Sequence, residues 1–237
     1  MIYIPSYKRS QDCKAAKWIS EGVICCHKFE VGEYKKYNKN KIMAMPDELG
    51  GKGMARIRNW ILENSKDEKV LMIDDDVRGV GYYEKEVEIR FTEKETYVFI
   101  ENGFRMCREA KTVLWGLNLL VDRKAYREYS PFSFTSVVLG PFFGVIKNHL
   151  RFDERLGLKE DFDYSIQVLN EYRRILRFNK YHYHVGHLVG RGGCTAYRSS
   201  VKEKKQKEIM TKKWGKRIVQ FRKGKTDPMI RVPISGM

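Results

Sequence analysis

Four clusters in this chain bring together side chains suited to chemistry. The sharpest is Met72-Ile73-Asp74-Asp75-Asp76-Val77, three adjacent carboxylates directly after the apolar run Val70–Ile73. Carboxylates packed together repel, so a fold gains by crowding them at a strand end only with a cation to neutralise them. Mg2+ and Mn2+ favour octahedral oxygen sites, held by one or two carboxylates together with substrate phosphates. The bland alternative is a solvated acidic turn or a helix-cap cluster.

The second cluster, Leu158-Lys159-Glu160-Asp161-Phe162-Asp163-Tyr164, opens a helical pattern. Acids in a first turn ordinarily cap the helix and complement its dipole. One within hydrogen-bond reach of an acceptor hydroxyl can also serve as a general base. The third is Tyr181-His182-Tyr183-His184-Val185-Gly186-His187, followed by Arg191-Gly192-Gly193-Cys194. His182 and His184 share a strand face, and His187 follows Gly186. Imidazole suits Zn2+ well and Mn2+ tolerably, so a His-only zinc site competes with a shared Mn2+ site. The Gly192-Gly193 turn could bring backbone amides to a phosphate with Arg191 beside it. In the fourth, Gly50-Gly51-Lys52-Gly53 precedes Met54-Ala55-Arg56-Ile57-Arg58-Asn59. It is neither a Walker A loop nor a G-x-G-x-x-G fingerprint. Arg56 and Asn59 fall on one face of the helix that follows, within reach of a nucleotide held over a sheet.

The elements that must position these groups alternate. Strands are expected at Ile2–Pro5, Val23–Cys26, Lys41–Met45 and Val70–Ile73, with helices near Asp12–Glu21 and over Met54–Asn64. That spacing predicts an α/β fold with a mostly parallel sheet, whose ligands bind at the carboxyl ends of the strands. Further on, Glu86–Phe91 and Glu95–Ile100 alternate as a hairpin would, and Asn102–Ala110 reads as a helix. Val113–Leu120 and Thr135–Lys147 read as strand regions, Glu160–Arg174 as a helix and Ile175–Val185 as a strand.

The 237 residues carry 46 Lys+Arg against 30 Asp+Glu, a net +16. Such a field points to a polyanionic partner, nucleic acid or an anionic membrane surface. Residues 201–237 hold +9 of it, and Met210, Trp214, Ile218 and Phe221 there fall on one helical face. A basic helix packed on the body is expected. No apolar run approaches the roughly 18–20 residues that span a bilayer, so stable membrane insertion is not expected. The start of the chain has no signal-peptide core. Five cysteines without a C-x-x-C pair suggest the reduced thiols of a cytoplasmic protein.

Taken in order, Ile4-Pro5-Ser6-Tyr7-Lys8-Arg9, Gly51–Asn59, Asp74-Asp75-Asp76 and Glu160-Asp161 resemble the motifs of a GT-A glycosyltransferase. Arg155–Ser165, Arg177-Phe178-Asn179-Lys180-Tyr181 and Gly192-Gly193-Cys194 look more specifically like the TET-associated glycosyltransferases. That family occurs in phages and fungi and is implicated in sugar transfer to hydroxymethylated pyrimidines in DNA. The resemblance implies a GT-A-like (Rossmann-like) catalytic domain over residues 1–200. Residues 1–130 would be its nucleotide-sugar half and 131–200 its acceptor half, with a basic helical extension over 201–237.

Residue by residue, the resemblance implies that Pro5, Ser6, Tyr7 and Arg9 line the uridine and diphosphate pocket of a UDP-sugar, UDP-glucose first among donors. Arg56, Asn59, Asp74 and Asp75 would join the donor site, with Arg191, Gly192 and Gly193. Asp76 and Asp74 would hold Mn2+ or Mg2+, completed by His187 or His184. Asp161 is the implied base of an inverting displacement, with Glu160 and Asp163 behind it. The implied partner is double-stranded DNA bearing a hydroxymethylated pyrimidine such as 5-hydroxymethylcytosine, in a phage-infected bacterial cell. The charge agrees, because Lys and Arg that neutralise phosphates release counterions. Lys202, Lys205, Lys212, Lys213, Lys216 and Arg217 are the candidate phosphate contacts. Trp115, Phe132, Phe134 or Phe143 could stack on a flipped base, although core packing is the commoner role of such rings. Two other functions fit the same residues: a glycosyltransferase with a lipid-linked or polysaccharide acceptor, and a metal-dependent nucleic-acid-binding protein or nuclease.

Overall fold

In a computed structural model that describes residues 1–118, 129–185 and 199–232, the short apolar runs become the buried strands of one sheet. In chain order the elements are β1 (Ile2–Pro5), β2 (Val23–His27), α1 (Val31–Tyr37), β3 (Ile42–Met45), α2 (Met54–Asn64), β4 (Lys69–Ile73), β5 (Val77–Glu84) and β6 (Val87–Arg90). They continue with α3 (Glu93–Glu109), β7 (Leu114–Asn118), β8 (Phe132–Ser133), β9 (Phe142–Ile146), α4 (Glu160–Tyr172), β10 (Leu176–Val185), α5 (Ser200–Trp214), β11 (Val219–Phe221) and β12 (Pro228–Ile230). The sheet order is β3-β2-β1-β4-β9-β7-β10-β5-β6, with β8 alongside β10. β1, β2, β3, β4, β6, β7 and β10 run one way, while β5, β8 and β9 run against them. This is the mixed, mostly parallel α/β sheet that the alternating pattern predicts.

The strand directions gather the chemistry at one edge. The parallel strands β1, β2 and β4 end side by side, so the segments after Pro5, His27 and Ile73 meet there. Antiparallel β9 starts at that edge, since Ile73 lies opposite Phe142 and the Asp74 N–H donates to the Pro141 carbonyl at 2.8 Å. β10 ends there as well, with Val185 opposite Val77.

Two expected elements differ. Glu95–Ile100 is not half of a hairpin but part of the helix α3; the hairpin is β5–β6. Thr92 and Glu95 form a reciprocal capping box, and Thr96, Phe99, Ile100, Gly103, Phe104 and Cys107 form a buried stripe at helical spacing. Near Asp12–Glu21 only a 3₁₀ turn, Ala15–Lys17, is present. The Ala15 N–H goes to the Asp75 carbonyl at 3.0 Å and the Trp18 indole to the Val77 carbonyl at 2.8 Å, so this segment ties itself to the acidic loop instead of extending a helix. α1 was not expected from the sequence.

The basic tail is a helix only as far as Trp214. Gly215, at φ +77°, turns the chain into the β11–β12 hairpin. Met210, Trp214, Ile218 and Phe221 still cluster, together with Leu139, Leu156, Phe162 and Ile166 of the body. Asp163, fully buried, accepts from the Trp214 indole at 2.7 Å and from Lys213 at 2.8 Å. Replacing Asp163 with Ala is expected to destabilise the protein to urea by about 2–3 kcal/mol, the cost of stranding donors on a charged acceptor. Lys216→Ala, on the exposed face, should stay within about 0.5 kcal/mol; similar losses for both would mean that the tail is not anchored there.

Candidate active site

The loop after β1 is fixed from beneath by the middle aspartate. The Ser6 hydroxyl donates to Asp75 Oδ2 at 2.6 Å, so the Tyr34 hydroxyl, 2.6 Å from Ser6 Oγ, donates to Ser6. The Arg9 guanidinium donates to Asp75 Oδ1 at 2.6 Å, and the Lys8 N–H to Glu30 at 2.7 Å. Asp75 is buried and turned into the protein. Its neighbours Asp74 and Asp76 are partly exposed, and Arg9 reaches Asp76 at 3.7 Å. Beside this loop the Tyr7 ring meets His27 edge-on, and His27 stacks on the exposed Phe29. His27 Nε2 is buried without a hydrogen-bond partner.

The second acidic cluster joins the first through Arg58. This residue sits on the buried face of α2, with its guanidinium 2.8 Å from Glu160 and 3.5 Å from Asp74. Gly140, which follows the buried Leu139, donates its N–H to Asp161 Oδ2 at 3.2 Å and leaves room for the guanidinium that a Cβ there would strike. Arg58 thus faces Asp74, Glu160 and Asp161, and Arg9 faces Asp75 and Asp76, so two cations meet five carboxylates and cannot balance them all. Asp76 is pushed up to about 7 by burial and by Asp74 and Asp75. Glu160 is pushed up to about 7 by burial, with Arg58 opposing and Asp161 adding to it. Burial also raises Asp161. Asp74 Oδ1 is buried with no hydrogen bond. Excess buried carboxylate, with one oxygen held only by a 3.5 Å ion pair to Arg58, is a donor set that fits a divalent cation.

Other expected site residues are placed differently. Asn59 is a backbone clamp: its amide donates to the Phe152 carbonyl at 2.9 Å and accepts from the Phe152 N–H at 2.8 Å. Arg56 pairs with Glu154 at 3.0 Å in a separate cleft. Asp163 is consumed by Lys213, Trp214 and Gln167, which removes it as a base and Lys213 as a free phosphate contact. His184 faces away from the acidic edge. Tyr183 feels the charges of Asp74, Asp161 and Asp76, and its neighbours along the strand project from the opposite face. His187, Arg191, Gly192 and Gly193 lie outside the described residues. Trp115 and Phe143 are core residues, whereas Phe132 and Phe134 are exposed.

Sequence reasoning missed Arg58, although the signal was there: a charge at the apolar positions of Met54, Ile57, Ile61 and Leu62. His27 and Phe29 had no comparable signal. The cleft holding Arg56, about 580 Å³, lies between the glycine loop and α5, and Lys52, Arg155, Lys202 and Lys205 line it. Lys212, Lys216 and Arg217 are exposed. Among the described residues no helix is long and apolar enough to cross a membrane.

The mostly parallel sheet, with an acid triplet at one strand end and a second carboxylate pair at a helix start, has the fold of the GT-A-type glycosyltransferases. Solved structures share the fold. Staphylococcus aureus TarS 1-349 in complex with UDP-GlcNAc matches at TM-score 0.57 and 16% identity, over 88% of this chain and 63% of that one. TarS 1-349 without a named ligand gives 0.50 and 13%, over 91% and 72%. The mannosyltransferase PcManGT from Pyrobaculum calidifontis, in complex with GDP-Man and Mn2+, gives 0.50 and 9%, over 73% and 52%. No curated protein matches the chain in sequence. The model of the TET-associated glycosyltransferase family matches residues 1–193, and the chain belongs to that family.

The raised carboxyls make a signed prediction. Asp76 and Glu160 bind protons more tightly folded than unfolded, so their contribution to stability falls as pH rises from about 4, the unfolded value, to about 7. A divalent ion held by the ionised folded cluster would offset that loss. At 100 times Kd, Mn2+ should stabilise the protein by about 2.7 kcal/mol near pH 8 and much less near roughly pH 5.5, read as shifts in Tm. Equal shifts at both pH values, or an undiminished shift in Asp76→Ala, would contradict the assignment.

Proposed function

We propose that the protein transfers a hexose, glucose being the first to test, from a UDP-sugar to the hydroxymethyl group of 5-hydroxymethylcytosine in double-stranded DNA. The observation that carries this reading is the meeting of Asp74 with Glu160 and Asp161 around Arg58, with Asp76 beside Asp74. It pairs a cation-binding edge with a carboxylate base in one family whose members are glycosyltransferases.

A nucleotide sugar is supported by the UDP-GlcNAc and GDP-Man complexes of the similar folds. Pro5, Ser6, Tyr7 and Arg9 form the loop that would receive the nucleotide, with Tyr7 and the exposed Phe29 offering ring faces to a base and the buried His27 packed between them. Asp76 and Asp74 would hold Mn2+ or Mg2+, and His187 keeps its sequence-based assignment as a further ligand. When bound, the ion neutralises the charge that grows on the leaving diphosphate.

Asp161 is the base. Glu160 is tied to Arg58, whereas Asp161 is partly exposed, and its raised pKa strengthens it as a proton acceptor. It takes the proton of the acceptor hydroxyl as that oxygen bonds to the anomeric carbon, while the bond from that carbon to the diphosphate breaks and UDP departs. The transition state has oxocarbenium character, and attack from the face opposite the diphosphate inverts the sugar.

The acceptor reading rests on charge. Lys52, Arg56, Arg155, Lys202 and Lys205 around one cleft, with the exposed Lys212, Lys216 and Arg217, suit phosphates. Phe132 and Phe134 are exposed rings on which an extruded base could stack.

The test incubates the protein with Mn2+, UDP-glucose and 5-hydroxymethylcytosine DNA and reads the hexose mass on the released nucleoside. Asp161→Asn should lower turnover by about 10²–10⁴-fold, with DNA binding unchanged. Lys202→Glu with Lys205→Glu should raise KM for DNA at least about tenfold at low salt, with a shallower salt dependence than the unmutated protein, at similar kcat. Release of UDP without sugar on DNA would sink the acceptor; full turnover in Asp161→Asn would sink the base.

A further inference from the structure

On the face of β10 opposite Tyr183 lies a group that the acidic edge does not use. His182 sits opposite Gly81 and His184 opposite Gly79, while Glu88 of β6 lies opposite Tyr83 of β5. Positions 79, 81 and 83 share one face of β5. With glycine at the first two, nothing stands between the imidazoles and the carboxylate. His182 Nε2 is 3.3 Å and His184 Nε2 3.0 Å from the same oxygen, Glu88 Oε1, and one ligand atom from each residue lies within 4.8 Å of the others. His182 is buried, His184 nearly so, and the two rings stand 5.0 Å apart. His184 Nε2 has no solvent and no hydrogen bond of acceptable geometry, despite its closeness to Glu88. The Tyr83 ring stacks on His182, and the exposed Arg90 guanidinium is 3.5 Å from the other Glu88 oxygen.

We propose that Glu88, His182 and His184 form a second metal site, selective for Zn2+ and separate from the acidic edge. Three arguments select the metal. Two imidazoles and one carboxylate are a zinc donor set, whereas Mg2+ and Mn2+ prefer oxygen. Bonds of about 2.0–2.1 Å at tetrahedral angles put neighbouring donors about 3.3 Å apart, and the measured separations from Glu88 Oε1 are 3.0 and 3.3 Å. A shared ion also gives the stranded His184 nitrogen its partner. The site ties the β5–β6 hairpin to β10, so the ion acts as a clamp on the strand that leads to the acidic edge. Three protein ligands leave a fourth position for water.

The experiment uses the full chain, stripped with chelator and titrated with Zn2+ by calorimetry, with metal content measured after gel filtration. One Zn2+ per chain is expected, undiminished by a large excess of Mg2+ and retained in Asp76→Ala. Co2+ in its place should give the strong visible absorption of a tetrahedral site in the unmutated protein. Affinity should fall more than about 100-fold in His182→Ala and in His184→Ala. Glu88→Ala, a change at a partly exposed position that leaves the core intact, should also weaken binding. No stoichiometric zinc in the wild-type chain, or zinc retained in the double histidine variant, would overturn the proposal. Loss of zinc in Asp76→Ala would place the ion at the acidic edge and overturn it equally. None of these readouts depends on glycosyl transfer.

Discussion

The buried guanidinium of Arg58 is the constraint on which the site depends. It joins the end of β4 to the start of α4 through Asp74 and Glu160, groups far apart in sequence, and it lies against the rings of Phe143 at 5.0 Å and Phe152 at 5.7 Å. Burying a charge costs several kcal/mol in effective desolvation, and a buried pair roughly recovers that cost without surplus. Its return here is geometric: one cation fixes the separation of two carboxylate clusters. The next residue, Asn59, clamps the Phe152 backbone and so holds one of those rings in place. Gly140 gives up its side chain to let the guanidinium in and directs its N–H at Asp161.

The three acids that open α4 divide their roles by helical geometry. Successive residues are turned about 100° around the axis, so Asp161 points away from Glu160 and Asp163, which lie only about 60° apart and part company through their partners. Glu160 meets Arg58, and Asp163 meets Lys213 and Trp214 of the tail. Asp161 is the one left toward the sheet edge. The turn before α4 is held as tightly: the buried Lys159 pairs with Glu203 at 3.3 Å and Asp227 at 3.0 Å, and Gln206 accepts the Leu158 N–H at 2.8 Å. Gly53, at φ +97°, packs so near Gly157 that any Cβ would collide with its backbone, which closes the glycine loop onto the same turn.

What was legible in the sequence follows from this arrangement. Strands buried on both faces and the long stripe of α2 show as continuous or periodic apolar runs, so β1, β2, β4, α2 and β10 were readable to within a residue or two. The acid triplet was readable as an electrostatic anomaly. Two kinds of feature were not. Six residues such as Glu95–Ile100 alternate well enough for a strand, and only the longer window with its capping box reveals α3. The division of labour within a charged cluster depends on partners distant in sequence: Asp75, Asp163 and Asn59 have the residue types of a binding site and spend them on Arg9, Lys213 and the Phe152 backbone. The reverse error hid Arg58, a charge taken for a bystander because its neighbours are apolar.

The basic tail has the same double character. Part of its charge is internal, with Lys213 serving both Asp153 and Asp163 and so stabilising the helix that carries Asp161, the proposed base. Other cations stay outside, and Lys202 and Lys205 line a cleft whose opposite wall is the glycine loop ahead of Arg58. A polyanion bound in that cleft would touch the two segments that frame α4, the glycine loop through Lys52 and the tail helix through Lys202 and Lys205. Those segments meet at the Gly53–Gly157 contact and the Gln206–Leu158 bond, both within a few residues of Asp161. The cations proposed to hold an acceptor and the contacts that position Asp161 are therefore built on one framework. The tail is a packed wall of that cleft, tied to the body through Met210, Lys213 and Trp214, and not a detachable arm.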